Sequence, residues 1–477
     1  MTGKFGQLKL WLLIAFSLHS LKTSATHAFG AELSYECISN NQYRVTFTFY
    51  RECSGLPAPN TIDLIITSSC YFSDTVLLTQ NPGTPEVVST VCSSSATTCS
   101  GGIYLGIQKW EYSGIVNLHG PCYDWIFSAS VCCRSSNITT VDNVANDNIF
   151  VYSMLNNEDF NSNNSPKFPE LVYPSGCLGQ QFCINNSALD IDGDSLTYSL
   201  TTPLSAYNSM IRYRAPNTHE LPIVSIPGPQ FNSNTGEFCL YPNHNDVSVY
   251  AILVSEFRNG ILIGQTEKDL QFQVSNCLNK IPSLSGINGT SSFNTSICVG
   301  SIQNLSIYSA DPDILQTTTI SWNYGIPGAT FVNFGGDRDS ANFSWTPTSA
   351  DVRPAPHCFI VSVQDDNCPY IGSANYNYCF TVVPPSNLIC GGVSVKENLV
   401  EPTVEIATVD LNNEFRLSWN ESSAFLTLKI YDSTGKEVRI ANVHGLSEET
   451  ISLENLSKGI YILCLDGKEH WCKRLVR

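Results

Sequence analysis

The sequence predicts an all-β protein, a row of β-sandwiches ending in a small C-terminal β-sandwich. Three observations predict it. Glycine (31 residues) and proline (24) are plentiful, while charged residues make up only 14% of 477 residues, so turn signals are dense and solvated helical faces scarce. Short β-branched and aromatic runs recur between the turn clusters, and long segments with 3.6-residue apolar spacing are missing. The length suggests about three domains, and 19 cysteines suit small sandwiches cross-linked in an oxidising compartment.

The N-terminal segment sets that compartment. Lys4 and Lys9 precede the apolar run Leu10 to Phe16, and small residues follow at Ser24, Ala25 and Ala28. This is the pattern of a secretory signal peptide, placed at 1–28. No later stretch approaches the roughly 20 apolar residues of a spanning helix, so no transmembrane helix is expected in the mature chain. The formal charge of −17 argues against a nucleic-acid partner, whose phosphates an acidic body repels, and is compatible with divalent cations. An odd cysteine count leaves at least one thiol free or paired between chains. Cys132 and Cys133 are adjacent, and on a strand they would face opposite ways and seek different partners. No Cys/His spacing suits zinc.

The first unit, 29–155, opens on the alternating strand Tyr43–Tyr50, followed by strands at Ile62–Ile66 and Trp125–Val131. Its strings Val45-Thr-Phe-Thr-Phe-Tyr-Arg-Glu-Cys-Ser-Gly55 and Ser130-Val-Cys-Cys-Arg134-Ser-Ser-Asn137 resemble the N-terminal module of large Bacteroidetes cell-surface proteins, some of them linked to gliding. Arg51 and Arg134 are expected to pair with local acids or to cover apolar surface with their stems. Asn156 to Lys167, rich in Asn and Ser, reads as a linker (156–167).

Two similar units follow, 168–278 and 279–384. Each begins with Pro and Gly signals and a cysteine, Cys177 or Cys298, continues to an acidic turn, and closes on paired strands. The closing pairs are Val249–Val254 with Leu270–Val274, and Phe359–Val363 with Tyr378–Val382. The strings "ALDIDGDSLTYSL" and "FSWTPTSADV…CFIVSVQDD" resemble bacterial cadherin-like, immunoglobulin-like repeats, a resemblance that implies adhesion, an extended stalk and a calcium role for the acidic turn. Asp190, Asp192 and Asp194 alternate around Gly193, and clustered carboxylates on a turn supply the hard oxygens that calcium requires. Asp311 and Asp313 are the second repeat's counterparts, without the Gly-Asp continuation. The competing reading of both turns is structural, with aspartates bonding local backbone amides.

A second linker (385–400) leads to the tail, 401–477. Leu426, Leu428 and Ile430 alternate with polar residues, as do Ile460 and Ile462, and Asp432–Gly435 and Ser457–Gly459 are turns. The tail is near neutral against an acidic body. "KIYDSTGKEV … LENLSKGIYIL … KRLV" closely resembles the type A C-terminal sorting domain of the Bacteroidetes type IX secretion system. The resemblance implies export across the outer membrane by that machinery, after Sec export to the periplasm, to the cell surface or the medium. Cys464 and Cys472 depart from the family pattern and would staple the last hairpin if its loop runs through Asp466 to His470.

Catalytic constellations are missing: no His-Glu-x-x-His, no Gly-x-Ser-x-Gly elbow, no phosphate loop. Cys358 beside His357 reads as a disulfide partner opening a strand, and Trp322 and Trp345 as core or inter-sheet aromatics, with sugar stacking as their alternative role. The expectation is a non-enzymatic surface or secreted protein, a rod of three modules with an adhesive or structural role. Its surface ligand would be a protein or a polysaccharide. The alternative is a secreted hydrolase or carbohydrate-binding accessory protein.

Overall fold

In a computed structural model, residues 27–88, 91–144, 147–168, 174–387, 389–390, 404–410, 414–419, 425–444, 446–467 and 470–476 are described. Nearly all of the expected signal segment and most of the 385–400 linker lie outside them. The described residues are built of β-strands joined by loops and turns, some of them three-residue 3₁₀ turns. No helix among them is long and apolar enough to cross a membrane. The chain divides into two compact units, meeting in sequence at Cys390 and Gly391.

In the first unit, strands Ala28–Ser39, Gln42–Glu52, Ile107–Asn117, Asp74–Gln80, Thr61–Thr67, Trp125–Val131 and Ile149–Leu155 pair in that order. The long strand Ile261–Ser275 pairs with both the first and the last of these, closing the circuit. Inside it lie Tyr35, Phe47, Leu64, Trp125, Phe127 and Val151, all buried. Alternation in strands such as Gln42–Glu52 puts one phase, Tyr43, Val45, Phe47 and Phe49, into this core.

The closing strand belongs to the first repeat, which corrects the expected boundary at 155/168. Ile261–Ser275 also pairs along its length with Val247–Arg258. A three-stranded sheet (Phe182–Asn185, Glu237–Leu240, Gln230–Phe231) completes the repeat. Its Phe182 and Phe238 bury with Tyr250 and Phe272, in a core that also takes Phe29, Tyr50 and Ile107 from the N-terminal module. The segment 156–167 is not a linker. Asn163 and Ser165 are buried, and Ser165 exchanges hydrogen bonds with the backbone of Tyr35. Its polar side chains satisfy buried groups of two neighbouring elements, which composition alone cannot distinguish from a solvated loop.

The second repeat is a two-sheet sandwich. One sheet orders Ser283–Leu284, Gln303–Ala310, Ser340–Trp345 and Thr330–Asn333, and the other Asn294–Cys298, Ser373–Val383, His357–Asp365 and Thr318–Trp322. Between them Phe343 stacks on Phe359 at 4.2 Å, with Ile307, Val361 and Tyr378 around the pair.

Disulfides follow this plan. The opening cysteine of each repeat bonds one beyond its last strand, Cys177 to Cys277 and Cys298 to Cys390. Cys92 of the N-terminal module bonds Cys368 of the second repeat, so the three modules are not strung end to end as a rod. Cys132 and Cys133 bond each other across a cis peptide, correcting the expectation of separate partners. Cys37 is the free thiol among the described residues.

The second unit is a smaller sandwich. Val404–Asp410, Glu414–Trp419 and Glu448–Ser452 face Glu437–Asn442, Phe425–Asp432, Ile460–Gly467 and His470–Val476. Cys464 and Cys472 are directly opposed in the last hairpin and bonded, as the spacing suggested. Two details differ from the sequence reading. Leu426 is exposed because a register shift between Phe425 and Thr427 turns it outward. In Ile460–Leu465 both phases are apolar, and the buried face is Tyr461, Leu463 and Leu465 rather than Ile460 and Ile462.

Candidate functional site

The turn Asp190–Asp194 leads into the strand Ser195–Thr201, which pairs with Val247–Arg258. Gly193 holds a positive φ of 84°, the left-handed conformation that closes the turn. Asp194 N–H donates to Asp190 Oδ1 at 2.8 Å. Asp190 and Asp194 are 7% and 8% exposed. Asp192 does not join them. Its carboxylate accepts from Asn164 N at 2.7 Å and from the Asn164 amide group.

The third carboxylate is Glu256, fully buried at 0% exposure. One oxygen from each of Asp190, Asp194 and Glu256 lies within 4.8 Å of the others. Glu256 stands opposite Gly264 on the neighbouring strand, and a Cβ there would fall 2.3 Å from Glu256 Oε2. The missing side chain of Gly264 is therefore what makes room for the carboxylate. Sequence reasoning missed Glu256, though a signal existed. In Val247–Arg258 the phase Ser248, Tyr250, Ile252, Val254 is wholly buried, and Glu256 is its next member.

Arg258, two residues on, answers one of the three charges. Its Nε and Nη2 bind Asp194 Oδ1 and Oδ2 at 2.8 and 2.6 Å, and its other donors reach Ser162 O and Asn163 Oδ1. The Arg353 guanidinium approaches from the other side, close against Gly193. Asp190 Oδ2 and both Glu256 oxygens accept no hydrogen bond. Burial, reinforced by the Asp190 charge, pushes Glu256 well above the usual carboxylate range, and burial raises Asp190 as well. Such a cluster either shares protons or holds a hard cation. Its unpartnered carboxylate oxygens are the donor type that calcium prefers.

The second repeat's acids form a different object. Asp311 Oδ1 accepts from Asp313 N at 2.8 Å, and Asp313 Oδ2 accepts from Lys280 N at 2.7 Å. Arg338 donates to the backbone carbonyls of both residues. No third carboxylate gathers with them among the described residues. Asp365 and Asp366 are likewise occupied, by Asn279, Asn367 and Gly372 and by Thr317 respectively.

Cys358 is bonded to Cys379 and has no thiol to serve as a nucleophile. Trp345 is buried in the second repeat's core, and Trp322 is half-buried at its edge. Arg134, expected to meet a local acid, forms a two-pronged pair with the distant Asp269, the side chains 1% and 0% exposed. Arg51 binds Gln108 and the carbonyls of Cys53 and Gly55.

Residues 402–476 match the family described as Secretion system C-terminal sorting domain. No curated protein matches the chain. Among solved structures, a tandem of titin Ig domains is similar at 8% identity, covering 46% of this chain and 99% of that one, with a TM-score of 0.16. The mouse nectin-like molecule 4 ectodomain is similar at 10% identity, covering 64% and 96%, with a TM-score of 0.15.

Proposed function

We propose that this chain, cargo of the type IX secretion system, works at the cell surface or in the medium as a non-enzymatic adhesive or structural protein. The sorting-domain match over 402–476 carries the reading. The segment 1–28 directs Sec export to the periplasm, the type IX machinery then recognises the tail, and the disulfide-braced unit ending at Cys390 is the part delivered. The cross-linking supports an extracellular role, since nine disulfides, Cys53–Cys99 and Cys70–Cys122 among them, suit an oxidising compartment. Mass spectrometry of surface and supernatant fractions tests the reading. The expected product lacks the residues after about 400, and full-length chain retained in the periplasm of a secretion-competent strain would overturn it.

Calcium is the cofactor proposed for the first repeat. Asp190 Oδ2 and the Glu256 carboxylate would hold it, with Asp194 beside them fixed by Arg258. Asp192, bound to Asn164, and the Asp311–Asp313 turn fall outside the ligand set. A bound cation would neutralise two buried carboxylates and tie the turn to the strand Val247–Arg258.

A further inference from the structure

Within the first unit, a cleft of about 620 Å³ separates the outer face of one sheet of the second repeat from Phe168 and Ala188 of the first. Its floor is set by strand register. Ser321 stands opposite Ser362, and Ser362 opposite Asn375. These three positions on three adjacent strands make a polar row with a step of about 4.8 Å, and Gln364 lies two residues from Ser362 on the same face. The side chains of Ser321, Ser362 and Gln364 line the cleft and make no hydrogen bond to the protein, and the buried Asn375 Oδ1 accepts none. Asn377 closes one end of the row by exchanging amide bonds with Asn185 of the first repeat.

At the mouth stands an aromatic pair. Tyr324 is 76% exposed, and its ring lies 4.7 Å from that of Trp322. Trp322 is braced from behind by Phe331, Phe343 and Phe359, so it offers a fixed edge rather than a mobile one. Among the described lining residues the charged group is Lys167, which is paired with Glu36.

The chemistry of the occupant follows. Unpaired hydroxyls and amides call for a ligand dense in donors and acceptors. Tyr324, exposed beside the Trp322 edge, calls for one with an apolar face. Among the described lining residues no charge is left unanswered, so nothing there selects an acid or a base. A pyranose meets all three demands, with hydroxyls at its rim and C–H groups on its faces. A peptide adding to the edge strand Thr318–Trp322 does not fit, because that edge is closed. Thr318 N donates to Asp337 O, Ile320 N to Asp339 Oδ2, and Asn333 Nδ2 to Ile320 O.

We propose that this cleft binds a stretch of uncharged polysaccharide, with Tyr324 stacking on a sugar face beside the Trp322 edge while Ser321, Ser362 and Gln364 take its hydroxyls. The proposal names the ligand class of the surface role and rests on that reading for its biological setting. Native affinity electrophoresis of the mature chain tests it, in gels containing laminarin, xyloglucan or galactomannan, with polygalacturonate as the anionic comparator. The expected result is retardation in at least one neutral gel and none with polygalacturonate. Tyr324→Ala and Gln364→Ala should each weaken it roughly tenfold, the scale of one lost stacking or hydrogen-bonding group. Tyr324 is exposed enough that its truncation leaves the core intact, and unchanged thermal melting verifies this. No retardation in any neutral gel, retardation by polygalacturonate alone, or retardation that neither variant weakens would overturn the proposal. Absence of the processed chain from the cell surface would instead overturn the delivery reading and leave this result standing.

Discussion

The two repeats share a sequence pattern and differ in what lies behind it. The first shares its long strands with the N-terminal module and buries charge there. Within Thr266–Asp269 every residue is buried, with Lys268 paired to Glu32 and Asp269 to Arg134. The second closes its own two sheets over a core dominated by aromatic and aliphatic side chains, and is tied to its neighbours by Cys92–Cys368 and the Asn185–Asn377 amide pair. An acidic turn set into the first surroundings finds a buried glutamate waiting. The same kind of turn in the second is met by backbone amides, and its one buried unpartnered oxygen, Asp311 Oδ2, has no cluster of carboxylates around it among the described residues. The turn is local and repeats with the sequence, whereas its chemistry belongs to whichever element packs beneath it.

The largest expected effect comes from breaking the charge buried in the first repeat. Arg134→Ala leaves Asp269 unpaired at 0% exposure and should cost about 3–5 kcal/mol in urea denaturation. Arg134→Met combined with Asp269→Leu should recover most of that loss, because removing both charges removes the desolvation penalty with the attraction. If the single variant proved neutral, the contrast between the two cores would lose its energetic content.

Calcium addresses the contrast at the turns. The mature chain should melt higher in millimolar calcium than in chelator, with a gain of about 2.7 kcal/mol at a hundredfold excess over the dissociation constant. Glu256→Gln should abolish the gain and Asp311→Asn should leave it unchanged. A melting temperature indifferent to calcium would overturn the site.

Titration gives the next effect. Burial, with the Asp269 charge adding to it, raises Glu267 to about 8. The folded state therefore keeps this proton while the unfolded chain, near 4.5, has lost it. Stability from this group is full below about pH 4.5, falls as pH rises, and is lost above about pH 8. Glu267→Gln should remove most of that decline, read as thermal midpoints across the window.

The sequence made the strands legible because turn residues bracket them and one side-chain phase is apolar, as in Tyr43–Phe49 or Phe359–Val363. It failed where both phases are apolar, as in Ile460–Leu465, since pairing alone then chooses the buried face. It failed again at Asn156–Lys167, whose polar side chains serve distant buried groups. Of the carboxylate cluster, Asp190 and Asp194 were visible as a motif, while Glu256 sits 62 residues past Asp194 and was visible only as a charge on a core phase. Asp192 stood in the motif and outside the cluster, because alternation at a turn does not fix which way a carboxylate points.

The smallest effect sharpens the comparison from the other side. Asp313→Ala removes the acceptor for Lys280 N but leaves the Asp311 Oδ1 bond to the backbone of residue 313 in place. One exposed hydrogen bond is lost and no buried charge is stranded, so the cost should be about 0.5–1 kcal/mol. It should also be the same with calcium or with chelator. A calcium-dependent cost at Asp313 would mean that the second turn recruits a cation too, and the difference between the repeats would be one of affinity rather than of kind.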